Sequence, residues 1–298
     1  MAEQLCRVSP NIELCYETFG DPGDPTALLI MGLATQMIAW PDEFCRDLAG
    51  RGFHVVRFDN RDAGRSTHVP GPPPTVGQLL RRSRGAAHYL LSDMAADAAG
   101  LLRELDLAPA HVIGASMGGM IAQTLAARHP ESVRSLTSIM STTGGRWVGQ
   151  PAPWLYPVLL RRPGQGRDAA IERTVAVFSK IGSRDLDQDF DHIRQIAARS
   201  YDRDHDPRGP GRQLAAIVAS GDRTAELRRI AVPTVVIHGT ADRLIAPSGG
   251  RATARAIPGA RLIKIERMGH DLPRAVWPRI IDAIAENAAR AEPVPQPA

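Results

Sequence analysis

Gly114-Ala115-Ser116-Met117-Gly118 forms a Gly-x-Ser-x-Gly pentapeptide, and its setting gives it chemical meaning. It follows the apolar run His111-Val112-Ile113 directly and opens a helical stretch over 117–128. Small residues on both sides of a serine, between a strand and a helix, let the backbone turn sharply. The hydroxyl is then pushed out at the carboxyl edge of a sheet. Gly119 extends the small patch, so the helix can approach the neighbouring strands. The helix start adds unpaired N–H groups and a positive dipole end, both suited to a developing oxyanion. A phosphate-cradling loop would need the Lys of GxxxxGK[ST], which this stretch lacks. The chemistry on offer is nucleophilic attack by Ser116.

A serine hydroxyl is a weak nucleophile and needs a base that is itself oriented by an acid. Downstream, Thr234-Val-Val-Ile-His-Gly-Thr-Ala-Asp242 places a carboxylate just past an apolar run. The run 261–265 is then followed by Glu266-Arg-Met-Gly-His270, which places a histidine just past the next one. If both runs are parallel strands, Asp242 and His270 emerge at the same sheet edge as Ser116, where sites in open α/β sheets lie. Rival residues fit less well. His238 lies at the end of a strand and reads as a packed core histidine. His129 suits a helix C-terminus, and His54 and His111 open strands. His68, His88, His192 and His205 occupy polar or helical segments without a partner pattern. Among the acids, Asp271 is too close in sequence to fold back onto the His270 ring. Asp59, which also ends a strand, stays open as the rival to Asp242.

These residues need a scaffold, and the hydrophobic pattern supplies one. Short apolar runs at 27–31, 54–59, 111–114, 136–140, 234–238 and 261–265 read as strands of a parallel sheet buried on both faces. Helical stretches at 40–49, 93–106, 117–128, 249–256 and 278–289 lie between or after them, the second capped by Ser92. Alternating strand and helix means an α/β fold with helices on both faces. The alternation Ile12, Leu14, Tyr16 within 1–20 reads as a lead-in hairpin or edge strand. One region breaks the pattern. Over 143–225 there is no convincing strand, only helical periods around 154–161, 169–181, 190–201 and 212–220. The expected organisation is a core in two parts, 1–142 and 226–298, with 143–225 inserted as a helical lid. The proline-rich tail from 291 reads as frayed.

Composition narrows the function classes. The 298 residues are 43% hydrophobic and 23% charged, ordinary for a folded globular chain and against disorder. The net charge is +4, from arginines spread along the chain, so nucleic acid is not an expected partner. The three cysteines, Cys6, Cys15 and Cys45, form no CxxC, and no His/Cys grouping has zinc spacing; no metal site is expected. The N-terminus carries no signal-like apolar core, and no run is long enough to cross a bilayer. A cytoplasmic location without membrane association is therefore expected.

Four segments together resemble a known family: Gly114–Gly119, Asp59-Asn-Arg-Asp-Ala-Gly-Arg-Ser66, Gly239-Thr-Ala-Asp242 and Met268-Gly-His-Asp-Leu-Pro273. The chain resembles the α/β-hydrolases of the lidded carboxylesterase type, similar to aclacinomycin methylesterase-like enzymes, over nearly its whole length outside the lid. The resemblance implies Ser116 as nucleophile, Asp242 as acid and His270 as base. It places the oxyanion hole at the backbone N–H groups of Leu33 and Met117, and it implies no cofactor. Met31-Gly32 replaces the His-Gly of many relatives, and Arg61-Asp62 their Arg-Gly. Asp59, Arg61, Gly64 and Ser66 keep the spacing of a structural turn. Serine at the nucleophile position speaks against dehalogenase and epoxide hydrolase chemistry, which needs a carboxylate there. The expected partner is a small to medium apolar ester, with Met37, Trp40 and Trp154 as candidate lining residues. C–C bond hydrolysis, lactone hydrolysis and acyl transfer or perhydrolysis would use the same triad. A ligand receptor with a silent triad is the non-enzymatic alternative.

Overall fold

The fold is that of a computed structural model describing residues 2–81, 84–160, 164–186 and 188–291. Arg161 at the end of one expected helix, and the tail beyond Ala291, lie outside the described residues. Eight strands form one sheet in the order β1-β2-β4-β3-β5-β6-β7-β8. They are β1 Gln4–Ser9, β2 Ile12–Phe19, β3 Thr26–Ile30, β4 His54–Phe58, β5 Ala110–Ala115, β6 Val133–Ile139, β7 Thr234–Gly239 and β8 Arg261–Ile265. The hairpin β1–β2 pairs antiparallel, and β2 adds antiparallel to β4. All remaining pairings, from β4 through β8, are parallel.

The burial pattern explains why the central strands read as unbroken apolar runs. Every residue of β3, β4, β5 and β7 is buried, because helices cover both faces. The edge strand β8 keeps only Ile265 buried. Eleven helices occur among the described residues. Those of the core are α1 Asp42–Ala49, α2 Val76–Leu80, α3 Leu91–Glu104, α4 Met117–Arg128, α10 Ser248–Ala256 and α11 Trp277–Ala288. Leu101 of α3 and Ile121 of α4 pack with Leu28, Val56 and Val112 on one face. On the other face, Phe44 of α1 and Ile280 of α11 pack with Leu29, Val55, Ile113 and Ile237. One cap differs from expectation. The α3 N-cap is Leu90, not Ser92, and the Asp93 carboxylate accepts the Leu90 N–H at 2.7 Å, so the acid in the first turn closes the helix start.

Between β6 and β7 the chain is helical: α5 Tyr156–Leu160, α6 Arg167–Ile181, α7 Phe190–Arg203, α8 Gly209–Ser220 and α9 Thr224–Leu227. Its far end is anchored by Arg223, wholly buried, whose guanidinium donates to the Met120 carbonyl at 2.9 Å and the Thr142 carbonyl at 2.6 Å. Two segments that flank this helical region are thereby tied to α4.

Candidate active site

Ser116 sits between β5 and α4 with φ 57° and ψ −119°, a conformation an L-residue adopts only under constraint. The constraint is the packing of backbone on backbone. A Cβ on Gly114 would stand 2.1 Å from the Gly118 carbonyl oxygen, and one on Gly118 would stand 2.0 Å from that of Ile30. Only glycine fits at either place, and this lets α4 close onto the sheet with Ser116 raised at its rim.

Because β5, β7 and β8 are parallel, the loops after them share that rim. The Ser116 hydroxyl donates to His270 Nε2 at 2.9 Å, and His270 Nδ1–H donates to Asp242 Oδ2 at 2.8 Å. This tautomer follows from the partners, since a carboxylate only accepts. The other oxygen of Asp242 accepts the N–H groups of Leu244 and Ile245 at 3.0 and 2.9 Å. Burial alone would raise the Asp242 carboxyl. The His270 and His238 imidazoles outweigh it and hold it at about 2, below its ordinary 3.8. Asp242 is thus a fixed anion beside the histidine, the arrangement that orients a general base.

His238 is buried, as a core histidine should be, but it also faces this acid. Its Nε2–H donates to the Ile245 carbonyl at 2.9 Å and lies 3.4 Å from Asp242 Oδ2. The rival acid Asp59 points elsewhere. Its Oδ1 accepts the Met37 N–H at 2.7 Å, and its Oδ2 accepts the Arg65 N–H at 3.0 Å and pairs with Arg203 at 2.6 Å. Ser66 closes the same turn by donating to the Asp59 carbonyl at 2.6 Å.

The loop after β3 approaches the serine closely: a Cβ on Gly32 would be 3.1 Å from that of Ser116. Two groups shape this loop. The Asn60 amide donates to the Met31 carbonyl at 2.9 Å, and the Ala34 N–H donates to the Gln213 side chain at 2.9 Å. Leu33 N–H makes none of the turn's hydrogen bonds among the described residues. Met117, at the first helical position, has no intrahelical acceptor for its own.

The candidate lining residues divide. Met37 and Trp40 present no accessible surface: Met37 packs beside Cys15 and Ile38, and Trp40 lies against Phe44 with ring centres 5.3 Å apart and the planes tilted by 30°. A short helical turn over Met37–Ala39 tucks both into the core, which corrects their reading as pocket residues. Trp154 is half exposed, with the Arg243 guanidinium over its ring at 5.7 Å. Elsewhere, Asp62, His68 and Asp206 bring three ligand-type atoms within 4.8 Å of one another. Arg212 already occupies both carboxylates at 2.6 and 2.8 Å and supplies the positive charge a cation would bring.

Comparison with known proteins gives the family. Residues 25–273 match the family model of the alpha/beta hydrolase fold, and the chain belongs to that family. It is 31% identical to the rhodomycin D methylesterase DauP of Streptomyces sp. (strain C5), across 94% of this chain and 96% of the relative. Rhodomycin D methylesterase DnrP of Streptomyces peucetius is 30% identical over the same shares. Among solved structures, the enol-lactonase from Burkholderia xenovorans LB400 superposes with a TM-score of 0.71 at 25% identity, covering 96% of this chain and 98% of its own.

Proposed function

We propose that this chain is a serine carboxylesterase that removes the alkoxy group from esters of small to medium apolar acids, a methyl ester on a polycyclic acid among them. The observation that carries this is His270 bridging Ser116 at 2.9 Å and Asp242 at 2.8 Å at the rim of the sheet. The methylesterase names of two relatives that align over nearly the full chain support the bond cleaved. The helices between β6 and β7 stand as a lid over this rim.

In this reading Ser116 Oγ attacks the ester carbonyl while its proton passes to His270 Nε2. The carbonyl oxygen becomes an oxyanion facing the N–H groups of Leu33 and Met117. The tetrahedral carbon then expels the alcohol, which leaves with the proton held on His270. Water attacks the acyl-serine, giving its proton to the same nitrogen, and collapse returns that proton to Ser116 as the acid departs. Asp242 stays ionised throughout and steadies the imidazolium. A cyclic ester follows the same steps, so an enol-lactone belongs in the substrate panel.

The test is steady-state hydrolysis of p-nitrophenyl esters from acetyl to palmitoyl, with a polycyclic methyl ester and an enol-lactone alongside. Ser116→Ala should lower kcat on the order of 10⁴–10⁶-fold and abolish labelling by a serine-directed phosphonate. Wild-type protein that is folded yet turns over none of these esters would overturn the reading.

A further inference from the structure

The triad works only while the His270 ring stays between two partners 2.9 and 2.8 Å away. The loop that carries it, after β8, has no helix or strand of its own to hold that position. On the β7 side the Ala241 N–H donates to the Met268 carbonyl at 3.0 Å, and the exposed Thr240 hydroxyl accepts the Arg267 N–H at 3.1 Å. On the other side it is gripped by the end of α6. The His270 N–H donates to the Ile181 carbonyl at 2.7 Å, and the Gly269 N–H donates to the Ser183 hydroxyl at 2.7 Å. Ser183 returns the contact through both of its donors. Its N–H reaches Asp271 Oδ2 at 3.0 Å, and its hydroxyl donates to Asp271 Oδ1. Three consecutive residues of the histidine loop are thus bonded to the 181–183 segment.

We propose that Ser183 and Asp271 are positioning residues for His270, forming a clasp through which the C-terminal end of α6 and the loop just after it set the ring between Ser116 and Asp242. The inference rests on the serine esterase reading above. Ser183 is wholly buried, so its hydroxyl cannot exchange these partners for water. The approach is backbone to backbone: a Cβ on Gly269 would lie 2.5 Å from the Gly182 carbonyl carbon and 2.6 Å from the Ile181 carbonyl oxygen. Asp271 follows His270 directly, yet its carboxylate is spent on Ser183. It is therefore an anchor for the base and not a second acid of the triad. Burial lifts the Asp271 carboxyl above its ordinary value, although the two bonds from Ser183 pull it the other way. Because α6 belongs to the inserted helices, the element that covers the site also aligns the group that deprotonates the serine.

Displacing a base by a fraction of an ångström slows proton transfer and leaves binding of the ester almost untouched. Wild type, Ser183→Ala, Asp271→Asn, their double variant, Arg167→Ala and Ser116→Ala are compared in p-nitrophenyl ester turnover, rate of phosphonate labelling and thermal melting. Ser183→Ala and Asp271→Asn should each lower kcat about 10–100-fold and slow labelling in parallel. Their KM should stay within about threefold, since the loss is confined to the transition state. The double variant should be no worse than the poorer single one. Arg167→Ala cuts an exposed contact to Asp202 elsewhere on α6 and should leave kcat within about twofold. Asp271→Asn keeps the side chain's size and serves if the cavity of Ser183→Ala prevents folding. Folded clasp variants with wild-type kcat and labelling rate would overturn the proposal, as would an equal loss in Arg167→Ala. A wild type that neither turns over nor labels, like Ser116→Ala, marks failure of the esterase reading itself, and the clasp falls with it.

Discussion

The loop after β4 and the loop after β7 each bury a carboxylate at the carboxyl edge of one sheet, Asp59 in the first and Asp242 in the second. Both accept two backbone N–H groups, and both carboxylates are closed to solvent. They differ in the cation they face. Asp59 meets the guanidinium of Arg203, which is always charged and holds no proton to give. Asp242 meets the imidazole of His270, which donates to it through Nδ1–H and accepts from Ser116 at Nε2, so the ring is able to take up and return a proton. The first pair is a fixed brace between the loop after β3 and α7. The second can pass through a catalytic cycle. A strand-end acid therefore becomes structural or chemical according to the partner that the rest of the fold delivers.

The comparison breaks most sharply if the two acids respond alike to removal of their charge. Asp242→Asn should lower kcat on the order of 10⁴-fold, because the amide favours the wrong imidazole tautomer while the shape stays the same. Its stability near neutral pH should fall by no more than about 2 kcal/mol. Steady-state ester hydrolysis with active-site titration checks this, and an Asp242→Asn enzyme of near wild-type kcat would return Asp59 to contention.

Asp59→Ala should do its damage elsewhere. It removes one of the two carboxylates on the buried Arg203 guanidinium, leaving Glu3 at 2.7 Å, and frees the Met37 N–H, so it should cost about 1–3 kcal/mol of stability in denaturant unfolding. The fraction that remains folded should keep its triad and label with phosphonate. Loss of labelling in molecules shown to be folded would mean that Asp59 reaches into the chemistry.

These two acids also mark what could be read from the chain. The apolar runs, the elbow around Ser116 and the placement of Asp242 and His270 just past strands are local patterns, and local patterns survive in sequence. Choosing between Asp59 and Asp242 needed their partners, and Arg203 lies in α7, far along the chain from Asp59. The same holds for Gln213 on Ala34 and Ser183 on Gly269, contacts made from α8 and from the loop just after α6, where the sequence shows only helical periodicity and its end. His238 was legible as a buried histidine. Its second neighbour, Asp242, was not, because the loop between them had to fold back first. Met37 and Trp40 mislead by residue type: large apolar side chains beside an oxyanion loop line a pocket or fill a core, and a single short helical turn decides which.

The smallest expected effect distinguishes the two acids by the sign of their pH dependence. Asp242 titrates at about 2 in the folded protein against an ordinary 3.8, so between these values the unfolded chain binds a proton the folded one refuses. Its contribution is fully present above about pH 4 and is lost as pH falls toward 2, about 2 kcal/mol in all. Burial raises Asp59 above its ordinary value instead, against the pull of Arg203, so its own contribution declines as pH rises through its titration. Denaturant unfolding of wild type and Asp242→Asn between pH 2 and 5 should show the acid limb flattening in the variant. Asp59→Asn should leave that limb at least as steep as in wild type, because the opposing contribution has been removed. If both variants flatten it equally, the two carboxylates are held by the same forces, and the identity of the cation is not what separates them.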